Sequence, residues 1–218
     1  MAETNEPKQT RRAEKKAGNR AALIAAARDL MIRDGYRETL LDSVAAQVGL
    51  TKGAIYSIFG GKRQLLRALI EEGAAELAWP SIAHVLEDGL SLQEQARRIA
   101  DEWGRLSGMR VPMWAHSFAL EVSSITLRDP ELFDAQAARM REHVDELAAI
   151  FSGATSPAGH VVTDGGAEAF ASAFAALMQG LSQRVFNDPS ESAPNKFADA
   201  AVALAHLVDA TPGATRIP

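Results

Sequence analysis

The sequence contains no cysteine, few aromatic residues and no long apolar run that is free of charge. The absence of cysteine excludes a disulfide scaffold and any thiolate metal site. A membrane-spanning helix needs about 18 or more consecutive apolar residues, and no such stretch exists, so we expect no membrane span. The opening residues MAETNEPKQTRRAEKK are polar throughout and unlike a secretory signal, so we expect a soluble cytoplasmic protein.

The composition also has little of what β-sheets require. Alternating β-branched and aromatic residues are nearly absent, and aromatic residues make up only 6% of the chain, whereas alanine recurs throughout. Hydrophobic residues make up 47% of the 218 positions, which is enough to bury a sizeable core. We therefore predict an all-α fold of about nine helices.

The residues that mark catalytic or metal centres are present but scattered. The five histidines lie far apart, without the spacing of an HExxH motif. The glycines of TDGGAEAF open a helix but follow no strand, and no serine lies in a nucleophile elbow. We predict no catalytic residues, no metal site and no cofactor. An all-α enzyme built on the acidic part of the chain remains an open alternative.

Positive charge is concentrated near the N-terminus although the chain is acidic overall. Residues 1–67 hold 13 Lys and Arg against 7 Asp and Glu, a net charge of +6. Because the total is −5, the remaining residues carry −11. Such asymmetry indicates that the N-terminal part meets a polyanion. A solvated charged surface would give the same counts, so charge alone leaves both interpretations open.

Apolar spacing and capping residues divide the chain into helices. We expect a flexible basic arm at 1–16 and a first helix from Ala17 to about Asp34. Thr39, followed three residues later by Asp42, predicts a capped start for the second helix. The second and later helices are expected at 42–48, 52–59, 62–79, 91–107, 112–127, 130–151, 164–186 and 194–209.

Two short helices joined by the residues GLT have the layout of a helix-turn-helix. Around the second of them, Leu50, Ile55 and Phe59 are expected to point inward. Its other side is small or polar, as a helix must be to enter a major groove about 12 Å wide. Lys62 opens the next helix, where its ammonium group and the free backbone N–H groups can bind one phosphate. The outward residues are Thr51, Lys52, Gly53, Ala54, Tyr56 and Ser57.

The stretch AALIAAARDLMIRDGYRETLLDSVAAQVGLTKGAIYSIFGGKRQLLRALI, residues 21–70, resembles the TetR (tetracycline repressor) family of transcription regulators. Many fixed spacings agree at once, which makes the resemblance specific. One departure is Ile58, which stands where the family often has His or Tyr; we expect it to pack against the helix after Gly61. The residues that match the family pattern are Gly35-Tyr36, Thr39, Val44-Ala45, Gly49-Leu50, Lys52-Gly53, Tyr56, Phe59, Lys62 and Leu65-Leu66.

The resemblance implies a function for each residue of the motif. Thr51, Lys52, Ala54 and Ser57 would face bases or the nearby DNA backbone. Tyr56 and Lys62 would contact phosphates. Gly53, and Thr39 at the start of the preceding helix, are counted with these DNA-binding residues.

The resemblance also implies a DNA-binding domain at 17–61 and a variable helical domain at 62–218 for dimerisation and ligand sensing. The stretch AEAFASAFAALMQGLSQRVF is apolar nearly all round, so it needs a partner on two sides. We expect the helices at 164–186 and 194–209 to pair with their mates in a homodimer. Such a dimer presents two recognition helices to the half-sites of a palindromic operator in double-stranded DNA.

A ligand pocket is harder to locate. The helix PMWAHSFALEVSSITL places Trp114, Phe118 and Glu121 on one face, where Glu121 could bind a cationic ligand and Trp114 could add a cation–π contact. Glu121 could equally pair with an internal arginine or lie at a solvent edge. Each candidate can also be plain core. The full ligand-binding set is Trp103, Met113, Trp114, Phe118, Glu121, Phe174 and Met178.

The sequence thus predicts a ligand-responsive transcriptional regulator, a repressor that an unknown small-molecule effector releases from its operator. The open alternative within the same class is a helix-turn-helix protein that has no effector. Such a protein would be controlled by a protein partner or would act as an architectural DNA-binding protein.

Overall fold

The computed structural model describes the backbone of residues 6–73, 89–107, 110–188, 190 and 195–208, and their side chains except those of 6–12 and 110–115. These parts form nine α-helices and one isolated antiparallel bridge between Thr155 and Val161, which confirms the all-α prediction. No helix within these ranges is long and apolar enough to cross a bilayer. The helices are α1 Glu6–Asp34, α2 Leu41–Gln47, α3 Lys52–Phe59, α4 Lys62–Glu71, α5 Leu92–Ser107, α6 Arg110–Thr126, α7 Pro130–Phe151, α8 Asp164–Asn187 and α9 Lys196–Leu207.

Helix α1 begins at Glu6, so the expected helix start at Ala17 is wrong. The arm predicted at 1–16 is helical from Glu6 onward. The sequence between Pro7 and Ala17 consists mainly of good helix formers and contains no glycine. Pro7 lies in the first turn, where its missing N–H has no intrahelical partner to lose. The apolar spacing used for the prediction starts only at Ala17, because the earlier turns have no apolar face. The expected end of the fourth helix near Trp79 lies outside the described residues.

The chain divides into two compact units. The N-terminal unit comprises Met1–Leu77 and Trp114–Arg139, and the C-terminal unit comprises Ala78–Met113 and Met140–Pro218. Helix α4 and most of α6 therefore pack with the helix-turn-helix, although the predicted domain boundary lay between 61 and 62. The division of functions at that boundary stays a prediction.

A single apolar core holds the N-terminal unit together. It draws side chains from α1, α2, α3 and α4, and Phe118, Val122 and Leu132 add to it from α6 and α7. Because α2 and α3 are each too short to persist alone, burial against this core is what keeps them helical. The side chains with no exposed surface include Leu23, Met31, Val44, Ile55, Leu65, Leu66 and Leu69.

The C-terminal unit packs α5, the end of α7, α8 and α9 around an aromatic cluster. The Phe151 ring lies edge-on to Phe170 and Phe174, with centroid distances of 4.8 and 5.6 Å. Helix α5 approaches α9 so closely that a Cβ at Gly104 would lie 2.9 Å from Cδ2 of Phe197. Glycine is therefore the residue that this crossing of α5 and α9 requires.

A charged cluster ties α4 to the start of α7 inside the N-terminal unit. Arg63 donates from Nε and Nη2 to the two carboxylate oxygens of Asp129, at 2.6 and 2.7 Å. Its Nη1 donates to Glu131 at 2.8 Å. Hydrogen bonding to the Arg63 guanidinium lowers the pKa of Asp129 to about 2. The ionised form of Asp129 is thus the form that stabilises the fold.

This cluster predicts a specific pH dependence of stability. The pKa of Asp129 is about 2 in the folded state, against about 3.9 in an unfolded chain. The contribution of the Asp129 charge is therefore complete above about pH 4 and is lost as the pH falls towards about 2. We expect Asp129→Asn to lower the free energy of unfolding at neutral pH, with a difference from the unmodified protein that shrinks on acidification. Urea unfolding at several pH values measures this difference.

Asp134→Asn provides the control, because Asp134 is an exposed residue of the same helix α7. Its free energy of unfolding should follow that of the unmodified protein at every pH. A difference for Asp129→Asn that stays constant between neutral pH and about pH 3 would contradict the linkage to Arg63.

Candidate nucleic-acid interface

Helices α2 and α3 form a compact helix-turn-helix. The connecting turn is closed by a hydrogen bond from the Leu50 N–H to the Ala45 carbonyl at 2.9 Å. Gly49 has a φ of +67°, a left-handed conformation that side chains rarely adopt. Ile55 of α3 is fully buried. The apolar side of α3 is thereby fixed, and its other side faces away from the core.

The outward side of α3 is small and polar, as the sequence predicts. Tyr56 exposes 53% of its surface, an unusual fraction for a large aromatic side chain. Ala54 is partly buried, whereas the other members are exposed. We call this surface the α3 outer face; it consists of Thr51, Lys52, Gly53, Ala54, Tyr56 and Ser57.

Lys52 is paired within the helix-turn-helix. Its Nζ donates to Oδ2 of Asp42 on α2 at 2.9 Å, and this hydrogen bond raises the pKa of Lys52. Both side chains remain well exposed. A phosphate or base edge that binds Lys52 must therefore compete with Asp42 or share the ammonium group with it.

Lys62 stands at the first turn of α4, next to the α3 outer face. Its Nζ donates to the Arg37 carbonyl at 3.0 Å and lies 4.7 Å from the centroid of the Tyr36 ring. Partial burial lowers the pKa of Lys62, and the charges of Glu121 and Glu38 offset part of this effect. One of its three N–H donors is engaged, so two remain for an anion.

The start of α4 has no side-chain cap. Its N-cap is Gly61, which has no side chain to accept from the first-turn N–H groups. Gly60 and Gly61 have φ values of +93° and +154°, and these let the chain turn sharply between α3 and α4. The first turn of α4 thus combines free N–H groups with the Lys62 ammonium.

Ile58 points towards apolar side chains, and its expected contact with the helix after Gly61 stays a prediction. It is partly buried and packs against the core of the N-terminal unit. The departure from the family pattern therefore places an apolar side chain at the edge of the core.

Thr39 does not cap the second helix, so the predicted capped start is wrong. Its predicted part in DNA binding stays a prediction. Its side chain is only 2% exposed, and its hydroxyl donates to the Gly35 carbonyl at 2.7 Å. Leu40, and not Thr39, is the N-cap of α2, and no side chain caps that helix. Thr39 opens the second helix in sequence but faces back towards the end of α1. The structure thus makes it a residue of the α1–α2 turn.

The comparison with known families decides what this domain is. Residues 23–69 match the model of bacterial regulatory proteins, tetR family. The chain carries a TetR-family N-terminal domain. None of the curated proteins compared with the chain matches it.

Solved structures extend the likeness beyond this domain. A TetR-family transcriptional regulator from Mesorhizobium loti MAFF303099 aligns with a TM-score of 0.66 and 17% identity, over 89% of this chain and 96% of that one. A transcriptional regulator from Rhodococcus sp. RHA1 has a TM-score of 0.61 and 19% identity, over 91% and 99%. The multidrug binding protein EbrR, complexed with proflavin, has a TM-score of 0.56 and 20% identity, over 87% and 98%. At these identities the likeness establishes the fold, that of TetR-family transcriptional regulators.

The residues predicted to bind a ligand are distributed over both units of this TetR-family fold. Trp103, Phe174 and Met178 are buried in the core of the C-terminal unit. Phe118 is buried in the core of the N-terminal unit. The side chains of Met113 and Trp114 lie outside the described residues. The ligand set as a whole therefore stays a prediction.

Glu121 has a role that the sequence analysis missed. Its carboxylate accepts hydrogen bonds from the backbone N–H groups of Tyr36 and Arg37, at 2.8 and 3.3 Å. We expected Glu121 to bind a cationic ligand, to pair with an internal arginine or to lie at a solvent edge. Its hydrogen bonds to the backbone of a turn were not among these expectations. The partners lie 85 residues apart in sequence, so no local pattern indicates the contact.

Among the described residues no group of three or more His, Asp and Glu could hold a metal ion.

The position of Thr39 predicts a separation of stability from DNA binding. We expect Thr39→Val to lower the free energy of unfolding by about 1 kcal/mol, because a buried hydroxyl loses its bond to the Gly35 carbonyl. The salt dependence of DNA binding should not change, because Thr39 has almost no exposed surface. Urea unfolding and a salt titration of duplex binding measure the two quantities.

Thr51→Val is the matched control on the α3 outer face. The Thr51 hydroxyl is exposed and forms no capping hydrogen bond, so its loss should weaken DNA binding and leave stability unchanged. If Thr39→Val weakened DNA binding as much as Thr51→Val at equal folded fraction, Thr39 would take part in DNA binding.

Proposed function

We propose that the chain is a homodimeric, cytoplasmic transcriptional repressor that binds a palindromic operator and leaves it when a small-molecule effector binds. The observation that carries the proposal is the α3 outer face: a surface of small or polar residues, exposed except for Ala54, with Tyr56 outward and Ile55 fully buried on the other side of the helix. A helix of this shape suits the major groove, and the TetR-family domain match agrees with it.

The phosphate contacts are assigned to Tyr56 and Lys62. Tyr56 presents its phenol group beside the groove-facing residues, and Lys62 adds an ammonium group to the open N-terminus of α4. These contacts fix the position of α3 along the duplex but carry no sequence information. Sequence would be distinguished by Thr51, Lys52, Ala54 and Ser57, for which the proposal predicts contacts with base edges.

The proposal predicts steeply salt-dependent binding to duplex DNA. A pool of duplexes with a randomised central segment should yield palindromic sequences after selection by the protein. On such a duplex we expect Lys62→Ala to weaken binding and to reduce the slope of log K against log salt by about one. Tyr56→Phe should weaken binding about tenfold or more, because it removes a hydrogen bond to a charged phosphate. The slope should change little, because the phenol donor is itself uncharged.

Arg128→Ala is the charge control for this experiment, because Arg128 is an exposed cation in the turn between α6 and α7. Its slope should equal that of the unmodified protein. Weak binding by the unmodified protein with a flat salt dependence would remove the basis of the proposed function.

Dimerisation is proposed through α8 and α9. One side of α8 exposes small residues at helical spacing, namely Ala169, Ala173, Ala176 and Gly180. Such a surface allows a second helix to approach closely. In α9 the Leu207 side chain is 63% exposed, which is costly in water unless a partner covers it. The isologous pairing of α8 and α9 with their mates would bury both features.

This interface predicts the effect of one charge. We expect Ala176→Glu to convert the dimer into single chains, because an unpaired carboxylate would be buried where two α8 helices meet. Analytical ultracentrifugation measures the mass directly. Ala149→Glu is the matched control, an exposed alanine of α7 in the same unit, and it should remain dimeric. If Ala176→Glu remains dimeric, the dimer forms through a surface other than this side of α8.

Release by an effector requires a ligand that binds one dimer geometry more tightly than the other. The fold likeness to EbrR, a multidrug binding protein solved with proflavin, supports a small-molecule site in the C-terminal unit.

The second candidate function, DNA binding without an effector, is favoured by the complete burial of Phe174 and Met178 in that unit. Native mass spectrometry distinguishes them. A retained small molecule that also weakens operator binding supports the effector version.

A further inference from the structure

The turn between α1 and α2 is held by a carboxylate from α6. Glu121 accepts from the N–H groups of Tyr36 and Arg37 at 2.8 and 3.3 Å. The carboxylate also lies against Gly35, where a Cβ would be 3.3 Å from Glu121 Oε2 and the φ is +89°. A charged acceptor with two backbone donors makes a stronger bond than a neutral side chain would. The Tyr36–Arg37 segment is therefore anchored from outside the helix-turn-helix.

The same short segment holds Lys62 through other groups. The Arg37 carbonyl accepts from Lys62 Nζ at 3.0 Å, and the Tyr36 ring lies 4.7 Å below the ammonium group. Glu121 thus binds the N–H groups of two residues whose carbonyl and ring orient Lys62. The negative charge of Glu121 also favours the charged form of Lys62 against its partial burial, which lowers the Lys62 pKa.

The residue after Lys62 is anchored by the neighbouring helix. Arg63 pairs with Asp129 at the start of α7, which follows α6 after a short turn. Two consecutive residues of the first turn of α4 are therefore positioned by carboxylates that lie on or beside α6 and α7. The orientation of the α4 N-terminus depends on these carboxylates as well as on the helix-turn-helix core.

We propose that Glu121 is a positioning residue for DNA binding, which orients Lys62 towards a phosphate through the Tyr36–Arg37 segment. The proposal rests on the DNA-binding function proposed above and assigns Glu121 a part in it that needs no contact with DNA. Lys62, with its two remaining donors held in place, then loses less conformational freedom when it meets the phosphate.

The test is a double-mutant cycle between Glu121 and Lys62 on the selected duplex. Glu121→Gln keeps an acceptor oxygen but removes the charge. We expect it to bind DNA about threefold to tenfold more weakly and to lower the salt slope by up to about one. In a Lys62→Ala background the same change should have almost no further effect, because both substitutions remove one phosphate contact. Amide hydrogen exchange at Tyr36 and Arg37 should accelerate in Glu121→Gln.

Asp134→Asn controls for net charge, since it removes one negative charge from an exposed position of α7. It should bind DNA as well as the unmodified protein or slightly better, because the loss of a negative charge favours a polyanion. A weaker affinity for Glu121→Gln would therefore oppose the general electrostatic trend.

Two results would overturn the proposal while leaving the DNA-binding function intact. One is additive losses for Glu121→Gln and Lys62→Ala in the double variant, which would mean that Glu121 acts without Lys62. The other is an affinity of Glu121→Gln equal to that of Asp134→Asn. If Glu121→Gln fails to fold, Glu121→Asp, which keeps the charge on a shorter side chain, completes the same cycle. A flat salt dependence of the unmodified protein would instead contradict the DNA-binding function itself.

Discussion

Two helices of seven and eight residues are too short to be stable in water by themselves, so everything on the DNA-facing side depends on what is buried beneath them. Ile55 is the centre of that burial: it is fully buried and belongs to the same apolar core as side chains of α1, α2 and α4. Burial of this side chain sets the rotation of α3 about its axis. Because Tyr56 and Ser57 follow Ile55 directly, the same rotation turns them outward.

Positive charge in this region is less available than its count suggests. The first 67 residues carry a net charge of +6, yet many of their cations are paired within the unit. Arg63 binds Asp129 and Glu131, Lys52 binds Asp42, and Arg20 binds Glu72 at 2.8 Å. Affinity for a polyanion then depends on a few groups at defined positions. Charge counting indicates the kind of partner, while the pairing decides which cations remain for it.

Sequence patterns predict what is local and miss what is not. The bounds of α3 were predicted correctly because Thr51 and the Gly60–Gly61 pair mark both ends. The start of α1 was missed because its first turns have no apolar face, although their helix propensity is high. Thr39 resembled a helix cap by spacing, but its hydroxyl binds the preceding turn. Glu121 could not be predicted at all, since its partners lie in a turn 85 residues away.

Glu121 also changes what a domain boundary means in this chain. A boundary drawn at 61/62 follows the end of the helix-turn-helix pattern, and it assigns α6 wholly to a sensing domain. In the structure, α6 from Trp114 onward belongs to the compact unit that contains the helix-turn-helix. The backbone of the α1–α2 turn needs a partner for its N–H groups, and α6 supplies it. A displacement of α6 would therefore leave two N–H groups without their acceptor, and the turn that holds Lys62 would have to change with it.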